Sequence, residues 1–97
     1  MKQLIVQYKV KAERAAENQQ LVQAVFEELN RTNPGGLHYA AFKQSDGVTF
    51  VHIAALEGAE NPLSKSPAFQ AFQAGIRERC EVPPVASDMA EVGTYQF

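Results

Sequence analysis

Hydrophobic and polar positions divide the chain into segments of two different periods. From Gln3 to Val10 they alternate, with Leu4, Val6, Tyr8 and Val10 pointing one way and Ile5, Gln7 and Lys9 the other. The stretch is rich in β-branched and aromatic residues, which predicts a first strand. From about Glu13 to Arg31 the period lengthens. Leu21, Val22, Val25, Phe26 and Leu29 recur at helical spacing, while Glu17, Gln20, Glu27 and Glu28 fall towards water. Glu13 and Glu17 near the start of this helix and Arg31 at its end suit the helix dipole. Asn33-Pro34-Gly35-Gly36 ends it, because Pro cannot continue a helix and Gly permits the reversal.

Alternation returns in Leu37 to Gln44 and again in Val48 to Leu56, the pattern of a β-hairpin. Ser45-Asp46-Gly47 fits a three-residue turn with Gly in the left-handed position. Such a turn pairs Gln44 with Val48, and therefore Ala40 with His52 and His38 with Ala54. On that register His38, Ala40, Phe42, Phe50, His52 and Ala54 share one face. Downstream, Asn61-Pro62 and Ser66-Pro67 each place a capping side chain before a Pro at the first helical position. The first predicts a single turn containing Leu63. The second predicts a helix from Pro67 to about Cys80, with Phe69, Phe72 and Ile76 on its buried stripe and Pro83-Pro84 as its stop. A final strand is expected from about Met89 to Phe97, carrying Val92, Tyr95 and Phe97.

The order β-α-β-β-α-β predicts a single α+β domain over 1–97, a ferredoxin-like antiparallel sheet with both helices on one face. The third strand adds a second expectation. Phe50, Ala54 and Leu56 lie on one side of it and Val51, Ile53 and Ala55 on the other, so both faces look buried. Two helices cover only one face. A second copy of the chain packing sheet against sheet covers the other, and a homodimer is expected.

Composition narrows the partners. Nine basic and eleven acidic residues give a formal charge of −2, and the basic residues are scattered, so nucleic acid is not expected as a partner. No apolar run approaches the ~20 residues that cross a bilayer, and the apolar stretch at the N-terminus is too short for a signal peptide. No membrane association and a cytoplasmic location are the resulting expectations. Cys80, the single cysteine, excludes an internal disulfide and fits a reducing compartment. At the end of a helix its thiolate is disfavoured, and it reads as a small buried residue.

For chemistry, the two imidazoles set among phenyl and methyl groups are the candidates. His52, or His38, can act as general base on an acidic phenol or enol in an apolar cavity. The carbanion so formed can react with oxygen directly, with no metal or flavin formally required, so no cofactor is expected. The bland reading of the same pair is two partly buried imidazoles held by backbone or by a partner subunit. A metal site is not expected, since two imidazoles lack a third ligand and no His-x-His, His-x-x-x-His or Cys-x-x-Cys spacing occurs. Tyr8, Tyr39, Phe42, Phe50, Phe69 and Phe72 can line a pocket for a flat aromatic small molecule. Phenylalanines at helical spacing serve equally as plain core, whereas a buried tyrosine hydroxyl needs a partner.

Within this order of elements, Pro34-Gly35-Gly36-Leu37-His38-Tyr39 entering the second strand and Ser66-Pro67-Ala68-Phe69-Gln70-Ala71-Phe72 opening the second helix resemble the antibiotic-biosynthesis-monooxygenase-like family. The resemblance covers essentially the whole chain. It implies a dimeric α+β barrel and a cofactor-independent monooxygenase acting on a polycyclic phenol or quinol. The chain departs from the family where Ala54-Ala55-Leu56-Glu57 replaces a frequent Glu-Trp and where Leu63 stands in place of a frequent His. It has no Trp, and its first strand carries Gln3 and Gln7 rather than Asn. The Asn, Trp and His set of the haem-degrading branch is therefore missing. Two alternatives share the fold: a proton-transfer isomerase or cyclase, and a non-catalytic ligand-binding or assembly module with structural histidines.

Overall fold

The computed structural model describes residues 1–96. Strand β1 (Lys2–Val10) leads through a 3-10 turn (Ala12–Arg14) into helix α1 (Ala15–Thr32). The hairpin β2 (Leu37–Lys43) and β3 (Thr49–Leu56) follows, then a second 3-10 turn (Pro62–Lys65), helix α2 (Pro67–Gln73), a short helical turn α3 (Ile76–Arg79) and strand β4 (Cys80–Met89). The four strands form one antiparallel sheet in the order β2-β3-β1-β4. This is the ferredoxin-like α+β plan expected from the sequence, with the helices packed on one face.

The alternation of β1 sets that face. Tyr8 and Val10 are buried and join Val22 and Val25 of α1, Phe50, Leu63, Phe72 and Cys80 in one hydrophobic cluster. The two capping sites hold as read from the sequence. Asn61 Oδ1 accepts from the Leu63 amide at 3.0 Å, and Ser66 Oγ accepts from the Phe69 amide at 3.0 Å. Asn33 closes α1 in the left-handed conformation, its amide donating to the Leu29 carbonyl at 2.8 Å.

The hairpin register differs from the expected one by one residue. Gln44 is joined to Thr49, not Val48, its amide donating to the Thr49 carbonyl at 2.8 Å. The cause is Asp46. Its Oδ1 accepts from both the Val48 and Thr49 amides, and its Oδ2 accepts from the Thr49 hydroxyl at 2.6 Å. The carboxylate thus draws Val48 into the loop, while Gly47 still takes the left-handed conformation at φ 78°. Ala41 then lies opposite His52, and Tyr39 opposite Ala54. A one-residue slip turns every side chain of β2 over. Tyr39 comes to the helix-covered face, and His38, Ala40 and Phe42 go to the other.

The end of the chain also departs from expectation. The second long helix stops at Gln73, and Gly75 reverses the backbone at φ 74° before α3. The last strand begins at Cys80, so Pro83-Pro84 lies inside it rather than after a helix. β4 pairs only with β1, and prolines are tolerated on such an edge. Gln7 faces Val85 and Lys9 faces Val82, leaving Pro83 and Pro84 in a bulge opposite Tyr8, where no ladder donor is needed. Val92 and Tyr95, expected in a strand, lie in irregular, exposed chain, and Phe97 lies outside the described residues.

Candidate functional site

Between the sheet and α2 lies a cavity of about 460 Å³. Leu4, Val6 and Tyr8 of β1 and His52, Ala54 and Leu56 of β3 form its floor, with Tyr39 of β2 at one side. Leu63, Phe69, Phe72 and Ile76 close it from the helical layer, and Pro84 from the edge strand. The lining is chiefly apolar, and its convergent polar groups are few, the composition expected of a small-molecule site.

The polar groups form a continuous line. His52, only 4% exposed, is held at both ring nitrogens by tyrosine hydroxyls: Tyr8 Oη lies 2.8 Å from Nε2 and Tyr39 Oη 2.6 Å from Nδ1. Asn18 Nδ2 donates to the Tyr8 hydroxyl at 3.0 Å, and Arg79 Nε donates to Asn18 Oδ1 at 3.2 Å. Arg79 is itself buried, its remaining nitrogens donating to the carbonyls of Ala74 (3.0 Å) and Phe72. Its guanidinium stands 5.5 Å over the Phe72 ring centroid. Phe72 in turn stacks on the His52 ring at 5.4 Å with the planes 25° apart. The imidazole is thereby fixed in plane by hydrogen bonds and in tilt by aromatic contact.

Burial decides the electrostatics. It pushes the His52 pKa down from 6.5 to about 4, so the imidazole is neutral near pH 7. This departs from the expectation of a histidine titrating near neutrality. Burial also raises both phenols, Tyr8 and Tyr39, well above their ordinary value. At neutral pH the histidine and the two tyrosines are therefore all uncharged, and the polar line ends in the Arg79 cation.

The structure brings Tyr8, Tyr39, His52, Phe69 and Phe72 together at this cavity and leaves three expected site residues elsewhere. His38 is exposed on the opposite sheet face, where its Nε2 lies 3.7 Å from Glu57 Oε2. It is not a neighbour of His52, a correction that follows from the Asp46-driven register. Phe42 is 55% exposed on that same outer face and borders a shallower hollow between α1 and β2. Phe50 is buried beneath the site, stacked on Tyr8 at 5.6 Å, and supports the cavity without lining it.

Asn18 and Arg79 were not singled out from the sequence, yet a signal was present. Asn18 precedes Val22 and Val25 at helical spacing, and Arg79 follows Phe72 and Ile76 in the same way. A polar residue on an apolar stripe marks a buried polar group that must find a partner. Among the described residues, no group of three or more His, Cys, Asp or Glu side chains is placed to hold a metal ion. Among the described residues, likewise, no helix is long and apolar enough to cross a membrane.

No protein-family model and no curated protein matches the chain. Solved structures do. A protein of Nitrosomonas europaea, described as a candidate antibiotic biosynthesis monooxygenase, superposes with a TM-score of 0.77 at 14% identity, covering 96% of this chain and 100% of that one. Rv0793 of Mycobacterium tuberculosis gives 0.75 at 15% identity, with 96% of each chain covered. SnoaB of Streptomyces nogalater, described as a cofactor-independent oxygenase, gives 0.70 at 14% identity over 99% of this chain and 97% of that one. At such identities the likeness is one of fold. The chain has, over nearly its whole length, the fold of structures described as antibiotic biosynthesis monooxygenases.

Proposed function

We propose that this protein binds a flat aromatic small molecule of the phenol or quinol type in the cavity beside His52 and oxidises it as a cofactor-independent monooxygenase. The observation that carries the reading is the neutral Tyr8–His52–Tyr39 line set into the wall of an otherwise apolar cavity. Phe69 and Phe72 supply the apolar surface for the ring system. Tyr39, hydrogen-bonded to His52 Nδ1, meets the oxygen of the ligand, and Tyr8 holds the imidazole from behind. A hydrogen bond to that oxygen favours the electron-rich enolate or phenolate form. The ring carbon then gives its electrons to dioxygen. In the keto tautomer of such a phenol the reacting ring carbon is a methylene; one oxygen atom replaces its two hydrogens to give a carbonyl, and the other leaves with them as water.

The test is oxygen uptake by the purified protein with a panel of phenols and quinols, alongside Tyr39→Phe and His52→Ala. Uptake that needs a panel member and falls in both variants supports the proposal. Turnover of a ligand under argon points instead to a proton-transfer isomerase or cyclase. A binding module without catalysis is the second reading, favoured by one observation: both imidazole nitrogens are already occupied and burial disfavours the imidazolium. Saturable binding with no turnover in air or argon would establish it.

We further propose that the protein works as a homodimer, joined through the sheet face opposite the helices. Ile53, Phe42 and Val85 are exposed there at 39%, 55% and 61%. A cytoplasmic location remains part of the same reading.

A further inference from the structure

We propose that Arg79, acting through Asn18, fixes the direction of every hydrogen bond in the line Asn18–Tyr8–His52–Tyr39, so that Tyr39 presents its proton to the cavity and selects ligands with an acceptor oxygen. The inference rests on the cavity being a binding site and adds which chemical group that site takes.

The direction follows from counting donors. A guanidinium only donates, so the Asn18 atom facing Arg79 Nε is the carbonyl oxygen, and the Asn18 amide nitrogen faces Tyr8. That nitrogen also only donates, so the Tyr8 oxygen is its acceptor. The Tyr8 hydroxyl is buried, and its one remaining partner among the described residues is His52 Nε2. Its proton therefore goes to Nε2, because a buried hydroxyl proton with no acceptor is costly. Nε2 is then the unprotonated nitrogen of a neutral imidazole, and Nδ1 carries the hydrogen. Nδ1–H donates to the Tyr39 oxygen at 2.6 Å. Tyr39 keeps its own proton, has no other partner among the described side chains and lines the cavity. The site thus offers a hydrogen-bond donor, matched to a carbonyl or an enolate oxygen. Asn18 and Arg79 touch no ligand in this scheme and act as positioning residues.

The substitution that tests this is Asn18→Asp. It keeps the shape and gives Arg79 a carboxylate, but puts an acceptor where Asn18 had a donor. The Tyr8 proton should then turn to residue 18, His52 should carry its hydrogen on Nε2, and the Tyr39 proton should turn inward to Nδ1. The first readout is ¹⁵N NMR of the imidazole in the ligand-free protein at pH 7. Nδ1 should be the hydrogen-bearing nitrogen in the wild type and Nε2 in Asn18→Asp. A wild type with its hydrogen on Nε2 overturns the proposal, and so does a folded Asn18→Asp with no change. Should Asn18→Asp fail to fold, the wild-type tautomer alone decides.

The second readout compares fluorenone, which only accepts, with carbazole, a tricycle of similar size whose N–H donates. The wild type should prefer fluorenone by on the order of tenfold, the worth of one neutral hydrogen bond, and Asn18→Asp should reverse the order. A wild-type preference for carbazole overturns the donor assignment. Failure of both probes to bind, with the tautomer as expected, counts against the cavity as an aromatic site and supports the hydrogen-bond direction.

Discussion

Arg79 and Asn18 meet in the core although they stand 61 positions apart in the chain, guanidinium Nε to carbonyl oxygen at 3.2 Å. Among the described residues no carboxylate lies within ion-pairing distance of Arg79, which is only 2% exposed. Its charge is met instead by three oxygens, those of Asn18, Ala74 and Phe72, and by the face of the Phe72 ring. One side chain therefore holds the end of α2, the Gly75 reversal and the buried end of the site's polar line.

Replacing Arg79 should accordingly cost much more than removing a surface arginine. Arg79→Met keeps most of the volume but leaves three oxygens short of a donor, those of Asn18 and Phe72 buried and that of Ala74 partly so, and urea unfolding should show a loss of about 3 kcal/mol. Arg79→Lys should not rescue it, because an ammonium cannot reach all three oxygens with the planar fork of a guanidinium. A loss below about 1 kcal/mol in Arg79→Met would mean that the fork holds nothing together.

Much of this fold is legible in the sequence, and the misses have identifiable causes. Strand β1, helix α1 and both caps that stand before a Pro follow from period and capping chemistry alone. The hairpin is legible as a hairpin, but its register turns on whether the Asp46 carboxylate captures the Val48 and Thr49 amides, a side-chain choice that alternation does not encode. That single slip decides whether His38 or Tyr39 faces the cavity. The last strand was hidden by Pro83-Pro84, which breaks a helix but also suits a bulge on a sheet edge. His52, Tyr8 and Tyr39 could be named from residue type. Their partners Asn18 and Arg79 required knowing which polar residues the tertiary packing buries.

The role given to Asp46 has its own consequence. Asp46→Ala removes the acceptor for three donors, and hydrogen exchange at the Val48 and Thr49 amides should accelerate while exchange in β1 stays unchanged. Those hydrogen bonds hold the Asp46 carboxyl below its ordinary value. Its contribution is therefore present above that ordinary value and lost as the pH falls through the lower, folded one. Unchanged exchange at both amides would show that the register is set by the strands and not by the loop.

The outer sheet face makes an assembly prediction. Ile53 sits opposite Ile5 on one side and Ala40 on the other, at the middle of an apolar face with no helix over it. The 10.7 kDa chain should elute at twice its mass, and Ile53→Glu should elute as a monomer with an unchanged far-ultraviolet circular dichroism spectrum. A wild-type monomer at micromolar concentration would sink the dimer, and an Ile53→Glu dimer would move the interface elsewhere.

The neutral His52 should be visible in the pH dependence of stability. Its pKa is depressed in the folded state, to about 4 from 6.5, so the unfolded chain takes up the proton first as the pH falls. The stabilisation is complete above pH 6.5, declines between 6.5 and about 4, and is lost below that. The shift corresponds to about 3 kcal/mol. Glu17 and Asp46, also held below their ordinary values, enter only at the acid end of this window. Comparing urea unfolding of the wild type and His52→Gln at pH 7.5 and pH 5 isolates the histidine. The wild type should lose about 2 kcal/mol more than the variant between those two values. Equal losses would mean that His52 is protonated as readily in the folded protein as in the unfolded chain. The buried hydrogen-bonded line would then have to open to admit the proton, with the Tyr8 hydroxyl giving up its acceptor at Nε2.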